Sequence, residues 1–246
     1  MSYQWRWGVF FEPVPSGGAT YLDWMLAGLQ ATVQLSLCSW FIALAVGSVM
    51  GVFRTVPNRL LYGIATVYVE VFRNIPLLVQ LFLWYFVAPE LLPAGMGNAL
   101  KQMHPVLQQF TAAIACLGLF TGARICEQVR AGINSLSRGQ KGAALALGFT
   151  LPQTYRYVLV PMAFRIIVPP LTSELQGLFK NSAVASTIGL LELAAMGRQL
   201  VDYTAQPYES FIAVTVLYVV LSFVLMGFMR WVEVRTRVPG FIGGGK

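Results

Sequence analysis

Five long runs of apolar residues, separated by short polar intervals, organise this sequence. Each run reaches the roughly 20 residues of α-helix that cross the hydrocarbon core of a bilayer. Backbone groups inside lipid must find hydrogen-bond partners within their own segment, which favours helices over irregular chain. The pattern therefore predicts an all-α membrane protein with five transmembrane helices, over residues 24–53, 60–87, 106–133, 160–183 and 208–232.

Prolines and small residues shape these predicted spans. Pro76 removes a backbone hydrogen bond inside the second span and predicts a bend or break there. Pro169 and Pro170 predict a bend in the fourth span. Gly47 and Gly51 form a small-residue face on the first span, so we expect another helix to approach it closely.

A second small-residue face and the division of the chain into segments complete the organisation. Gly118 and Gly122 repeat the spacing of four on the third span and predict another close contact. An aromatic lead outside the membrane is predicted over residues 1–23, one transmembrane domain over residues 24–235 and a cytoplasmic tail over residues 236–246. A short re-entrant helix is predicted within that domain, over residues 190–200.

Residues 138–161 form the long polar interval inside this apolar chain. Two short helices are predicted there, the first ending at Gly148, which can take the left-handed conformation that closes a helix. The second starts at Thr150, whose spacing to Gln153 is that of a capping box. The interval ends at Pro161, where an apolar run begins. Its small residues and basic rim predict a surface on which a partner docks.

The composition, 57% hydrophobic and 11% charged residues, excludes an ordinary soluble domain. A net charge of +7 would also suit a nucleic-acid partner. Most basic residues, however, fall in loops on one side of the predicted spans, so no nucleic acid is expected. The positive-inside rule then places the amino terminus on the outer side of the membrane, and the polar interval and tail in the cytoplasm. Cys38, Cys116 and Cys126 lack metal-ligand spacing, so no metal site is predicted.

Ionisable side chains inside the predicted spans are functional candidates, because an unpaired charge there is costly. These side chains are Glu70, Arg73, Arg124, Glu127, Glu174 and Lys180. Glu70 and Arg73 lie three positions apart on one helix face and are predicted to form a structural ion pair.

Arg124 has two interpretations that the sequence leaves open. In the first, Arg124 pairs with Glu127, which lies three positions away. In the second, its guanidinium attracts an acidic cargo side chain through charge-assisted hydrogen bonds, and both residues belong to a substrate path.

The fourth predicted span is a candidate wall of that path, because carbonyls freed by prolines need water or cargo as partners. Its polar candidates are Glu174, Lys180, Asn181 and Ser182. Glu174 would bind the α-ammonium group of an amino acid, or else pair with Lys180 or with a neighbouring helix.

The motif Gly-x-x-x-x-Gly-Lys-Ser/Thr, which cradles nucleotide phosphates, does not occur in the sequence. No nucleophile–base arrangement stands out either. The chain is therefore expected not to be an enzyme and to bind no cofactor itself, so any ATP-driven step would belong to a separate ATPase chain.

The polar interval resembles the signature loop of permease subunits of ATP-binding-cassette (ABC) importers. That pattern reads Glu-Ala-Ala, three residues, Gly, nine residues, Ile-x-Leu-Pro. Here it stands as Gly142-Ala143-Ala144, Gly148 and a Val-Leu-Val-Pro run that ends at Pro161, with Gly142 in the place of the usual Glu.

The likeness extends over residues 20–235 and points to one branch of these permeases. Residues 70–80 and 169–182 are similar to the polar amino-acid branch, which covers histidine, glutamine and glutamate systems, and most of all to its glutamate/aspartate permease subunits. Arg124 stands where the branch commonly has Tyr.

The resemblance implies a type I ABC importer permease fold in the inner membrane of a bacterium. It further implies a dimeric core, expected to be a heterodimer with a sister permease. The other implied partners are two ATPase subunits that bind ATP and Mg and a periplasmic amino-acid-binding protein. The residues implied to couple to the ATPase are Gly139, Gly142, Ala143, Ala144, Gly148 and Pro161.

The function expected from this resemblance is ATP-driven import of polar, acidic L-amino acids. An ion-gradient-driven secondary amino-acid transporter is the alternative, since charges inside spans would serve it too. The lack of an inverted repeat counts against that alternative, and so does the presence of the polar interval 138–161, which we call the docking interval.

Overall fold

The computed structural model of the chain describes residues 3–15 and 17–236, so all but the first residue of the predicted tail lies outside the described residues. The regular structure of the described part is helical, apart from one isolated bridge between Pro13 and Thr20. The α-helices are α1 (Tyr21–Phe53), α2 (Arg59–Asn74), α3 (Leu77–Phe82), α4 (Ala88–Leu91), α5 (Ala94–Lys101), α6 (Pro105–Asn134), α7 (Arg138–Ala146), α8 (Leu151–Thr154), α9 (Val160–Asn181), α10 (Leu193–Thr204) and α11 (Pro207–Thr236). Short 3₁₀ turns cover Trp7–Phe11 and Ser182–Ile188, and π turns cover Leu83–Val87 and Tyr155–Leu159.

Four helical stretches of the described chain are long and apolar enough to cross a membrane: α1, α6, α11 and the run Leu151–Ile188, which includes α8 and α9. The all-α class predicted from the sequence is thus confirmed. The predicted second span consists of α2 followed by the helical run Leu77–Leu91, and the two are bent by 106° where they meet. If this pair counts as one span, the total is five. The side of the membrane on which each loop lies stays a prediction.

The break between α2 and α3 confirms the effect predicted for Pro76. Ile75, the residue before it, has φ −91° and ψ 130°, which is extended backbone. The ring of a proline clashes with a preceding residue in helical conformation, and the missing N–H removes the next helical hydrogen bond. The helix therefore ends at Asn74 and restarts at Leu77.

Both π turns end just before a proline, and this gives them a common cause. The Val160 N–H donates to the Tyr155 carbonyl, and the Ala88 N–H donates to the Leu83 carbonyl, each reaching one residue further back than in an α-helix. The next residues, Pro161 and Pro89, have no N–H to donate. The wider turn accommodates the proline ring without ending the helix. As a result, Pro161 lies inside a continuous helical run rather than at a boundary.

The described residues form two compact units, which we take separately. The first contains those within Met1–Ser39, Leu77–Leu117 and Leu178–Val224, and the second contains those within Trp40–Pro76, Gly118–Gly177 and Leu225–Lys246.

In the first unit, a buried carboxylate positions α10. Glu192 precedes the helix, is fully buried, and accepts hydrogen bonds from the Ala194 and Ala195 amides at 3.0 and 2.8 Å. The Tyr218 hydroxyl of α11 donates to it at 2.9 Å. Burial raises the pKa of Glu192, and the two amide hydrogen bonds oppose that rise. Every one of these bonds satisfies a group that would otherwise be costly to bury, so α10 is held in place at its first turn.

The amino-terminal lead belongs to the first unit and packs on the start of α11. The Tyr3 hydroxyl and the Arg6 amide both donate to the Glu209 carboxylate, the latter at 2.6 Å. Trp5 and Trp7 stack with ring centres 5.6 Å apart and are exposed. The lead is thus tied to the first turn of an apolar helix, and its predicted place at the membrane interface stays a prediction.

In the second unit, glycines bring α1 against α6. A Cβ atom added at Gly47 would lie 2.6 Å from the Gly122 carbonyl oxygen and 2.8 Å from the Ile125 Cβ. One added at Gly51 would lie 2.6 Å from the Val129 Cβ. These distances leave no room for a methyl group, so the close approach predicted at Gly47 and Gly51 is confirmed, and Gly122 is its partner on α6.

We expect Gly47→Ala to lower the stability of the protein by about 1–3 kcal/mol, because the new methyl group overpacks the α1–α6 contact. Thermal unfolding of the detergent-solubilised protein measures this effect. Gly63→Ala on α2 is the matched control, since nothing lies within 4 Å of a Cβ added there. Equal melting temperatures for the two variants would contradict the packing argument.

Candidate functional site

A charged cleft of about 320 Å³ opens in the second unit. Its wall comes mainly from one face of α6, because Phe120, Arg124, Glu127 and Gln128 recur at helical spacing. The remaining lining residues are Arg73 from α2 and Glu174 from α9. Four of the residues singled out in the sequence are therefore brought together, two arginines and two glutamates.

Arg124 and Glu174 form an ion pair across the cleft. The Arg124 Nε donates to Glu174 Oε2 at 2.6 Å. The side chain of Glu174 is only 9% exposed, whereas that of Arg124 is 51% exposed. Of the pairings considered from the sequence, Arg124 with Glu127 and Glu174 with Lys180 are wrong, whereas a partner for Glu174 on a neighbouring helix is confirmed. A spacing of three positions only places Arg124 and Glu127 on the same face of α6. The carboxylate of Glu174, from the facing helix α9, is the one that Arg124 meets.

Glu127 is held by two other arginines. The Arg54 guanidinium, just after α1, donates to Glu127 Oε1. Arg130 donates to Glu127 Oε2 through Nε at 3.0 Å and through Nη2 at 2.7 Å. One carboxylate thus faces two guanidinium groups, so the charge around Glu127 has a positive excess, while the two arginines and two glutamates that line the cleft balance.

The predicted ion pair of Glu70 with Arg73 is not formed in the described part of the chain. Glu70 instead accepts a hydrogen bond from the Asn74 amide nitrogen at 2.8 Å, four positions along α2. Arg73 lines the charged cleft. The two side chains are neighbours on the helix, but Glu70 bonds along its own helix whereas Arg73 lies at the cleft.

The other predicted path residues do not line the cleft. Lys180 is exposed, and Ser182 is buried with its hydroxyl donating to the Phe179 carbonyl at 2.7 Å. Asn181 is the last residue of α9. A role for these three residues in a substrate path stays a prediction.

The docking interval begins with α7 and closes as the sequence indicated. Gly148 has φ +87°, the left-handed conformation. The Phe149 amide donates to the Ala144 carbonyl at 3.1 Å, and the Gly148 amide donates to the Leu145 carbonyl at 3.0 Å. These two bonds make a Schellman motif, which satisfies carbonyls left free at the helix end.

The second short helix, α8, has the capping-box hydrogen bond in which the Gln153 side chain accepts from the Thr150 amide. The Thr150 amide donates to Gln153 Oε1 at 2.8 Å, as in a capping box. From α8 the helical run continues through the π turn into α9. The part of the docking interval from Leu151 onward and the following predicted span are therefore one continuous helical run, and a displacement at one end is carried along it.

Exposure separates the residues of α7 into two groups. Gly139, Gly142 and Ala143 are exposed, and no atom lies within 4 Å of a Cβ added at Gly142. Ala144 is only 4% exposed. The expectation that both alanines face a partner is therefore wrong for Ala144, which packs inside its own chain.

Exposed apolar side chains lie beside the small ones. Leu145 is exposed, and Leu147 is 79% exposed. We call the exposed residues Gly142, Ala143, Leu145 and Leu147 the docking face. Apolar surface of this kind, with small residues that allow close approach, is typical of a protein contact.

Two residues that the sequence did not single out connect this interval to the rest of the unit. The Tyr155 hydroxyl, in the π turn, donates to the Thr55 carbonyl at 2.7 Å. Thr55 follows Arg54, the partner of Glu127. No periodicity or motif indicated these contacts, because they join positions that are 100 and 73 residues apart in the sequence.

Comparison with known proteins places these features in context. Residues 43–238 match the family described as “Binding-protein-dependent transport system inner membrane component”. The chain is 56% identical to “Glutamate/aspartate import permease protein GltJ” of Escherichia coli (strain K12), covering 99% of this chain and 100% of that protein. It is 33% identical to “Probable glutamine ABC transporter permease protein GlnM” of Bacillus subtilis (strain 168), covering 87% and 92%.

The fold is similar to that of a solved structure described as “Crystal structure of an amino acid ABC transporter with histidines”. The TM-score is 0.73 at 28% sequence identity, and the match covers 87% of this chain and 95% of that one. The likeness agrees with the predicted type I importer permease fold.

The unequal burial of the Arg124–Glu174 pair leads to a prediction. Arg124→Gln should lower stability by about 1–3 kcal/mol, because it leaves a buried carboxylate without its charged partner. Glu174→Gln should cost less, since the half-exposed Arg124 keeps its hydration.

Thermal unfolding in detergent tests this order. Lys101→Gln, which breaks the exposed pair with Glu90, is the control and should cost under about 1 kcal/mol. A larger loss for Glu174→Gln than for Arg124→Gln would show that the pair is not organised around the buried carboxylate.

Proposed function

This chain belongs to the family of binding-protein-dependent transport system inner membrane components, and we propose that it is the permease subunit of an ATP-driven importer of glutamate and aspartate. The observation that carries the proposal is the 56% identity, over 99% of the chain, to a glutamate/aspartate import permease protein. The alternative of an ion-gradient-driven transporter gains no support, because the matched family depends on a binding protein.

The charges of the cleft suit an acidic cargo. Arg54 and Arg130 together outweigh the charge of Glu127, and Glu174 is paired with Arg124. In the lining itself, Arg73 and Arg124 balance Glu127 and Glu174, so the positive excess comes from Arg54 and Arg130 beside Glu127. A site with excess guanidinium groups favours an amino acid that carries two carboxylates, one on the side chain and one on the α-carbon. It binds such a cargo better than it binds a neutral or cationic amino acid.

Arg124 and Glu174 have the two charges that a zwitterionic cargo needs as partners. In the proposed binding step, a cargo carboxylate takes the place of Glu174 on the Arg124 guanidinium, and the cargo ammonium takes the place of Arg124 on Glu174. The exchange keeps each buried charge paired, so it avoids the cost of exposing Glu174 alone. Glu127 lines the same cleft. Lys180, Asn181 and Ser182 do not line it, and their role in a substrate path stays a prediction.

The proposed partners are those of the matched family, and the docking face supports the contact with the ATPase. Two ATPase subunits that bind ATP and Mg would contact Gly139, Gly142, Ala143 and the Gly148 turn, while Ala144 and Pro161 shape the segment from inside. A sister permease completes a heterodimeric core in the bacterial inner membrane, with the amino terminus in the periplasm. A periplasmic binding protein delivers the cargo.

The chain itself performs no covalent chemistry in this scheme. ATP binding closes the ATPase pair and moves the docking interval. α9 moves with the interval because the helical run from Leu151 is continuous. The cleft is then open to one side of the membrane or to the other.

Uptake by proteoliposomes tests the proposal. We expect this chain, reconstituted with its sister permease, the ATPase and the binding protein, to import labelled glutamate only when ATP is enclosed with the ATPase. Excess aspartate should compete, and excess glutamine or arginine should not. Uptake driven by an ion gradient without the ATPase would refute it.

The docking face gives a second test with a matched pair of variants. Ala143→Leu should weaken ATPase binding about tenfold or more without changing the melting temperature of the permease, because an exposed bulky side chain blocks close approach. Ala144→Leu should instead lower that melting temperature, because the added atoms are buried.

Affinity capture of the ATPase by the permease measures the first effect, and thermal unfolding measures the second. Normal ATPase binding by the Ala143→Leu variant would remove α7 from the docking surface.

A further inference from the structure

A continuous series of contacts runs from the docking interval to the charged cleft. It starts at Tyr155, which lies in the π turn between α8 and α9 and is buried. Its hydroxyl donates to the Thr55 carbonyl in the turn between α1 and α2. Arg54, the preceding residue, pairs with Glu127. Glu127 lines the cleft, so three steps join the two ends.

Arg54 occupies a confined position within this series. Its guanidinium carbon lies 5.7 Å from the ring centre of Tyr62 on α2, and its side chain is 12% exposed. Its Nε atom is buried and has no hydrogen-bond partner in the described part of the chain. A buried guanidinium nitrogen without a partner is uncommon, and it leaves a donor free for a second arrangement of the same side chain.

We propose that Tyr155 and Arg54 are positioning residues that transmit the movement of the docking interval to Glu127 in the cargo cleft. The inference rests on the proposed function, since it needs an ATPase that moves the interval. A shift of the π turn pulls the Thr55 peptide through the hydroxyl contact, and the turn moves Arg54. Glu127 follows its ion-pair partner, and the cleft changes shape.

The route has properties that suit transmission. Each of its contacts joins elements far apart in the sequence, so no local helix geometry would maintain it. The Tyr155 hydroxyl is the only part of that side chain that makes the bond, and a phenylalanine keeps the buried ring. Removing the oxygen therefore breaks the route while leaving the packing of the π turn in place.

Tyr155→Phe in the complete reconstituted complex tests the proposal, with Tyr157→Phe as the matched control. Tyr157 lies two positions away and is 59% exposed. The measurement is the number of glutamate molecules imported for each ATP hydrolysed. This ratio does not change when less complex folds, because both quantities scale with the assembled amount.

We expect Tyr155→Phe to lower this ratio about fivefold, the effect of one typical hydrogen bond, and Tyr157→Phe to leave it unchanged. Arg54→Lys, which keeps the charge but shortens the donor array, should lower the ratio too, whereas Arg59→Lys on the exposed start of α2 should not. If both residues act in one route, the double variant loses no more than the more affected single variant.

Several results would overturn the proposal. A Tyr155→Phe complex with the wild-type ratio would do so, as would losses that multiply in the double variant. If Tyr155→Phe prevents assembly, Arg54→Lys decides, and an unchanged ratio for that variant refutes the route. A wild-type complex that hydrolyses ATP but imports no amino acid would instead refute the proposed function.

Discussion

Carboxylates inside an apolar helix bundle must be paired, because an isolated charge there loses its hydration without compensation. In the second unit this requirement joins the helices. Glu174 of α9 is paired with Arg124 of α6, and Glu127 of α6 is paired with Arg54 from the turn after α1. The same two carboxylates line the cleft proposed for the cargo. The charges that join the helices are therefore also the charges available to bind an amino acid.

The pairing requirement works together with close packing. α1 approaches α6 because Gly47 and Gly51 leave no side chain between the two backbones. That approach brings Arg54, one residue beyond the end of α1, within reach of Glu127 on α6. Small residues in one part of the contact thus determine which charges meet in another part.

The docking interval differs from an ordinary loop in its continuity with the helix that follows. The π turn before Pro161 keeps α8 and α9 in one helical run, although a proline commonly ends a helix. The Schellman motif at Gly148 closes α7 and orients it against that run. A partner that moves α7 and α8 consequently acts on a rigid element rather than on a flexible connection.

The sequence alone determined the helical class, the approximate limits of the long apolar helices, the break at Pro76 and the left-handed turn at Gly148. Each depends on local rules of periodicity, hydropathy and backbone conformation. The sequence also identified Arg124, Glu127 and Glu174 as candidates, but it could not assign their partners. Only the tertiary structure decided that Arg124 meets Glu174, that Ala144 is buried and that Tyr155 reaches Thr55. Those contacts depend on which helix faces meet, and that is set by the packing of side chains distant in the sequence.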